Sequence, residues 1–285
     1  MTTIRFKAAC VQMRATRDQQ RNCDDAVAMI REAAAAGADY VQTPEITNLV
    51  ERDTARLRAI VETEENHGVL AGLREAARTE RIWLHIGSLS VKADEKIANR
   101  GYMIAPDGEI AARYDKIHLF DVDLPNGEKW RESATFSGGE SASVVETPWG
   151  PFGMTICYDV RFPYLYRAEA EAGAVLLTAP ACFTRQTGEA HWQVLQRARA
   201  IENGCFMVSA AQAGQHEDGR VTYGHSIIVD PWGRVLAEAG DEPGVIMAEI
   251  DLALVDDARA RIPTLRHTRP VVVARLGESL REAAE

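Results

Sequence analysis

Apolar and polar positions fall into two regimes along this 285-residue chain. Short, nearly continuous apolar runs alternate with longer stretches in which apolar residues recur every three or four positions. The first pattern fits strands and the second fits amphipathic helices. The run at 6–13 predicts a strand, and 18–36 predicts a helix closed by Gly37 as its C-cap. A strand at 39–43 stops at Pro44. Helices follow at 54–60 and 69–79, then strands at 82–89 and 100–105. Pro106-Asp107-Gly108 marks a turn that returns the chain as a strand at 109–114.

The second half repeats the style without repeating the sequence. Strands at 142–146 and 152–156 flank Pro148-Trp149-Gly150 and predict a hairpin. A helix at 164–172 ends at Gly173, and 174–179 reads as a buried strand. A long helix at 189–203 closes at Gly204, and strands follow at 205–211, 226–230, 234–238 and 245–250. Pro231-Trp232-Gly233 supplies another turn, 252–261 a last helix, and the chain is irregular from Pro263. Strands mixed with helices throughout indicate α/β layering, and the hairpins indicate mixed sheets. No Pro-, Gly- or Ser-rich linker divides the chain, so the expectation is one domain over 1–262 with a tail over 263–285.

Charge narrows the range of partners. The net charge of −10 repels phosphate backbones, and no Lys/Arg run opposes it, so nucleic acid is not an expected partner. An anionic ligand must be drawn in by a few placed arginines. The five cysteines are odd in number and widely spaced, which indicates neither a disulfide framework nor a zinc knuckle. The N-terminus lacks a signal-peptide pattern, and the longest apolar stretch is far short of the roughly 18 residues of a membrane span. A cytoplasmic protein with no membrane contact is expected.

Several chemistries are absent. No two glycines are separated by one residue, which removes the dinucleotide fingerprint. Gly214 and Gly219 are followed by Arg220-Val221 rather than the Lys-Ser/Thr of a phosphate loop. There is no G-x-S-x-G elbow, and no pair of histidines has metal-binding spacing.

Cys157 stands apart. It follows the apolar Met154-Thr155-Ile156 and precedes Tyr158-Asp159-Val160-Arg161-Phe162-Pro163, where a strand turns toward a helix. Backbone N–H groups at such a bend can face a developing oxyanion. A thiol needs a neighbouring base or cation to react at neutral pH. Glu45, after Thr43-Pro44, stands at the end of a strand where a carboxylate can line a cleft as a base. Lys116 lies among alternating polar and apolar residues and can offer a fixed positive charge. Each alone also fits an ordinary role: a buried cysteine, a turn glutamate, a solvated lysine.

Together these segments resemble the nitrilase (carbon–nitrogen hydrolase) superfamily. The pieces that match are Pro44-Glu45, Tyr114-Asp115-Lys116-Ile117-His118-Leu119, and Cys157 through Pro163, in the family's order. Trp130-Arg131-Glu132-Ser133, Ala190-His191-Trp192, the stretch 197–203 and the stretch 223–233 extend the match over about residues 4–270. The set looks most like the Nit branch, with its deaminated-glutathione amidases and ω-amidases.

The resemblance implies a four-layer αββα sandwich of the nitrilase type, commonly a homodimer. It implies Glu45 as general base, Lys116 as charge stabiliser, Cys157 as nucleophile and Glu132 as a second glutamate that positions Lys116. The backbone N–H of Tyr158 completes the oxyanion site. No organic cofactor and no metal are implied. The expected reaction converts a small carboxylate-bearing amide to acid and ammonia through a thioester on Cys157. Deaminated-glutathione amidase leads; ω-amide, N-carbamoyl amino acid and nitrile hydrolysis follow. A catalytically inactive scaffold is the rival from another class, opposed by the presence of all three residue types. Arg161, four residues after the nucleophile, is an expected carboxylate contact, with an ion pair to Asp159 as its ordinary alternative. Phe183 and Thr184 are expected in the pocket, in a loop over 181–189 that also offers Arg185. Cys182, Tyr223 and His225 read as bystanders.

Overall fold

The computed structural model describes residues 4–273. In chain order come β1 (Arg5–Gln12), α1 (Gln19–Ala35), β2 (Tyr40–Gln42), α2 (Thr54–Ile60), α3 (Gly68–Glu80), β3 (Trp83–Ala93), β4 (Lys96–Ile104) and β5 (Ile110–Asp115). Next are β6 (Asp121–Asp123), β7 (Lys129–Arg131), β8 (Phe136–Ser137), β9 (Ser143–Thr147), β10 (Gly150–Met154), α4 (Pro163–Glu171) and β11 (Leu176–Thr178). The remainder comprises α5 (Arg185–Asn203), β12 (Phe206–Ser209), β13 (Ala213–Gln215), β14 (Val221–Tyr223), β15 (Ile227–Val229), β16 (Val235–Glu238), β17 (Gly244–Asp251) and α6 (Ala253–Arg261).

Two mixed sheets carry the fold. The first runs β17-β1-β2-β3-β4-β5 with β8 beside β4, and the second runs β16-β15-β12-β11-β10-β9. In each, a parallel centre (β1-β2-β3 and β10-β11-β12) is flanked by antiparallel strands. Alternation along β1 shows the layering. Phe6, Ala8 and Cys10 join Tyr40, Phe152, Met154, Phe206 and Val208 in one core, between the sheets. Ala9 and Val11 point the other way, toward Ala26 and Ile30 of α1 and Leu70 and Leu73 of α3. Helices α4 and α5 cover the outer face of the second sheet. The architecture is the expected αββα sandwich.

Buried glutamines join the sheets. Gln42 Oε1 accepts from the Ala210 N–H at 2.7 Å, and Gln12 Oε1 accepts from the Ser226 N–H at 2.8 Å. Each satisfies a buried backbone donor that the sheet ladders leave over.

Three local expectations change. Strands β3 and β4 extend to a tight turn at Asp94, whose φ is +50°. Their tips carry Lys92, Asp94, Glu95 and Lys96 into solvent, so the apolar signal fades before the strands end. The hairpins β6-β7 and β13-β14 lacked any apolar run to announce them. Helix α5 begins at Arg185, so the loop expected over 181–189 is cut short at Thr184. Gly188 masked that start; within the helix it presses on Tyr223, where a Cβ would stand 2.3 Å from the ring. After α6, Thr264 Oγ1 donates to Glu202 O at 2.9 Å. Residues 274–285 of the expected tail lie outside the described residues. Among the described residues no helix is long and apolar enough to cross a membrane.

Gly87 on β3 marks where the site-bearing segments meet. A Cβ there would stand 2.2 Å from Thr43 O, 2.6 Å from Pro44 O and 2.5 Å from Pro180 Cβ. Two of these neighbours are backbone and cannot swing away. Gly87→Ala is expected to cost about 2–3 kcal/mol, read as a Tm lower by about 5 °C or more in thermal denaturation.

Candidate active site

Glu45 sits just past the C-terminal end of β2, in a bend that Pro44 opens. Its side chain is buried, and four donors reach it. Oε1 accepts from Lys116 Nζ at 2.8 Å and from Asn99 Nδ2 at 2.9 Å, while Oε2 accepts from the Cys182 N–H at 2.7 Å. The Cys157 thiol is the fourth. Burial pushes the carboxyl pKa up, but the Lys116 charge and the hydrogen bonds from Lys116, Cys157 and Asn99 outweigh it. The net result lies below the ordinary 4.5.

Lys116 follows β5 and is 2% exposed. Its ammonium also meets Glu132, at 3.1 Å to Oε1 and 2.9 Å to Oε2. Burial works against the charge, yet Glu132 first, then Glu45 and Cys157, push its pKa well above 10.5. Glu132 opens the 3₁₀ turn Glu132–Ala134, and its Oε2 also accepts from the Phe120 N–H at 2.6 Å. Asn99 of β4 bridges the two carboxylates, with Nδ2 at 2.9 Å from Glu45 and 3.2 Å from Glu132.

Cys157 begins the 3₁₀ turn Cys157–Arg161, beyond the end of β10. Its φ is +50°, a left-handed conformation that costs a non-glycine residue about 1–2 kcal/mol. Its N–H donates to Pro180 O at 2.9 Å, which ties the turn to the segment after β11. Asp159 fixes the turn from below. It accepts from the Tyr114 hydroxyl at 2.7 Å, the His118 N–H at 3.0 Å and the Ile156 N–H at 2.9 Å. The segment bearing Lys116 and the turn bearing Cys157 thus share one buried carboxylate. Burial and then the Glu45 charge push the Cys157 thiol well above 9.0, against the pull of Lys116. The thiol therefore stands protonated beside an ionised carboxylate.

The family profile of carbon-nitrogen hydrolases matches residues 7–260. The chain belongs to the carbon-nitrogen hydrolase family. It is similar to the deaminated glutathione amidase of Bos taurus, 39% identical over 278 residues that cover 95% of this chain and 84% of the relative. The deaminated glutathione amidase of Synechocystis is 39% identical over 270 residues, 92% of this chain and 97% of the relative. The crystal structure of Saccharomyces cerevisiae Nit3, a member of branch 10 of the nitrilase superfamily, superposes with a TM-score of 0.82 at 31% identity. That match covers 91% of this chain and 94% of Nit3. The protein is an amidase-type enzyme that hydrolyses carbon–nitrogen bonds other than peptide bonds.

Beside Cys157 the hydrolase has a cavity of about 310 Å³, lined by Glu45, Lys116, Glu132, Tyr158, Phe183 and Thr184 among others. Arg161 is not in its wall. Its Nη1 lies 3.2 Å from His191 Nδ1, and its guanidinium lies over the Phe183 ring at 5.2 Å. It makes no ion pair with Asp159. Arg185 is on the surface, paired with Glu189 at 3.2 Å and Asp241 at 3.5 Å. Tyr223 and His225 stack on each other, centroids 3.9 Å apart.

Three parts of the site carried no usable signal in the sequence. Asn99 falls before the strand expected at 100–105, so its inward direction was hidden. Cys182 contributes a backbone N–H, which no residue type announces. Arg52 and Arg220 line the cavity from polar segments; Trp130, which lines it with them, lies in the matched stretch 130–133.

The titration pattern predicts how the thiol reacts. Alkylation of Cys157 by iodoacetamide is expected to hold nearly level from pH 6 to 9, because Glu45 is already ionised there and the thiol is not. It is expected to fall only as acid protonates Glu45, and to slow in Glu45→Gln. A labelling rate that rises about tenfold per pH unit toward an ordinary thiol pKa near 8.5 contradicts this pairing.

Proposed function

We propose that this hydrolase is a thiol amidase in which Cys157 is the nucleophile, Glu45 the general base and Lys116 the charge stabiliser, acting on a small carboxylate-bearing amide. The observation that supports it is the buried cluster of the Cys157 thiol, the Glu45 carboxylate and the Lys116 ammonium.

Each step follows from that contact. Glu45 takes the thiol proton as Cys157 sulfur bonds to the amide carbon. Proton uptake removes the charge that held Lys116, and the ammonium turns toward the new oxyanion. The Tyr158 N–H is the second donor, and losing such a donor costs about 2.7–4 kcal/mol. Glu132, itself held by Asn99, keeps Lys116 in place while Glu45 is neutral. Glu45 then gives its proton to the amide nitrogen, and the C–N bond breaks. A primary amide releases ammonia; a substituted amide, such as deaminated glutathione, releases an amine. A thioester remains on Cys157. Glu45 takes a proton from water, the hydroxide adds to the thioester carbon, and the acid leaves as the proton returns to sulfur.

Names of the relatives favour deaminated glutathione over other amides, with Phe183 and Thr184 shaping the pocket. A homodimer is also part of this reading. Val194 and Ile201 stand exposed on α5, and exposed Trp232 precedes Gly233, whose carbonyl accepts from Arg197 of the same helix.

An acyl adduct on Cys157, seen by mass spectrometry during turnover of deaminated glutathione and released by hydroxylamine as the hydroxamate, is the expected signature. Cys157→Ala should abolish turnover. Glu45→Gln should lower kcat by about a hundredfold or more, the usual worth of a general base. Unchanged turnover in both variants overturns the proposal.

A further inference from the structure

The cavity contains a second charged cluster that the steps above do not use. Trp130 of β7 carries two guanidinium groups: Arg52 Cζ lies 4.3 Å from the ring centroid and Arg220 Cζ 4.7 Å. All three residues line the cavity with Cys157. Two like charges therefore share one ring, within about 9 Å of each other.

Neither charge is saturated. The Arg220 side chain is 14% exposed, and its carboxylate neighbour, Asp218 Oδ2, stands 3.7 Å away, beyond hydrogen-bond distance. The buried Arg220 Nε has no partner, and Nη1 meets only the Cys182 sulfur at 3.5 Å. Arg52 makes no ion pair among the described residues. Of the other cations lining the cavity, Lys116 holds Glu45 and Glu132 and Arg131 pairs with Asp123 at 2.9 Å, while Lys129 is exposed on β7 and outside the Trp130 stack. A buried N–H without an acceptor is costly, and a carboxylate is the natural group to fill it. Stacking on Trp130 holds the guanidinium groups in place before a ligand arrives.

We infer that Arg220 and Arg52, seated on Trp130, form the anion subsite of this cavity and bind a free carboxylate that the substrate carries apart from its scissile amide. The inference deepens the amidase reading and rests on it for the substrate. It names the class as amides with a second, ionised acid group, selected by these two arginines. Cys182 lies between the two halves of the site, with its N–H on Glu45 and its sulfur at Arg220.

Two probes test it. The first is turnover of glutaramate against pentanamide, the same amide without the acid. Arg220→Gln is expected to raise KM for glutaramate about tenfold or more, the loss of a charge-assisted pair, with little change in kcat or in pentanamide hydrolysis. Arg52→Gln should act the same way to a smaller degree. The second probe is calorimetric binding of glutarate to the Cys157→Ala protein, expected to weaken when Arg220→Gln or Arg52→Gln is added. Equal losses for both amides, or glutarate binding indifferent to both arginines, overturns the inference. Arg52 is exposed, so Arg52→Gln decides the matter if Arg220→Gln fails to fold. If neither amide is hydrolysed, the amidase reading fails on these substrates, while glutarate binding still decides the subsite.

Discussion

A lysine ammonium with almost no access to water is the constraint on which the rest of this molecule turns. Left alone there, Lys116 would lose its proton or unfold the chain. Glu45 and Glu132 keep it charged, and Lys116 in turn holds the Glu45 carboxyl below its ordinary range. One carboxylate is left in excess, and the donors of Asn99, Cys182, Phe120 and Cys157 spread that charge. No member of the group is stable in place without the others. Removing one partner of such a buried pair typically costs about 3–5 kcal/mol. The groups proposed to carry the chemistry are thus also groups the fold cannot lose cheaply.

The two sheets explain how segments so far apart in sequence meet. Glu45 leaves the C-terminal end of a central strand in one sheet, and Cys157 follows the end of a central-block strand in the other. Crevices beyond the carboxyl ends of parallel strands are the usual binding places in α/β folds. Face-to-face packing brings the two ends together, and the glutamine cross-links hold them there. Asp159 then joins Lys116's segment to Cys157's turn through Tyr114 and His118. Gly87 lets the segments after β2 and β11 approach closely enough to close the group.

Much of this was legible in the residues. Helix α2 falls at the positions its spacing indicates, and the turn glycines at 37, 173 and 204 mark helix ends as expected. Glu45, Lys116, Glu132 and Cys157 could be singled out because their segments carry specific local patterns, and the fold brings them together. What could not be read depends on tertiary contact. Gly188 looks like a breaker until Tyr223 is seen against it. Arg161 has a spacing that suggests the pocket, but its place is decided by Phe183 and His191, from another element. Asn99 is ordinary in sequence and central in space. Backbone donors such as the Cys182 N–H leave no trace in composition at all.

The hairpin β6-β7 and the pair β13-β14 stand as separate two-stranded sheets, apart from the two large ones. Trp130 belongs to the first, and Arg220 lies in the turn of the second. The groups proposed for bond breaking, Glu45, Lys116 and Cys157, thereby follow strands of the two large sheets, and Trp130 and Arg220 sit on small appendages. A lineage of such enzymes can exchange the appendages, and with them its diet of molecules, while the machinery beneath is inherited intact.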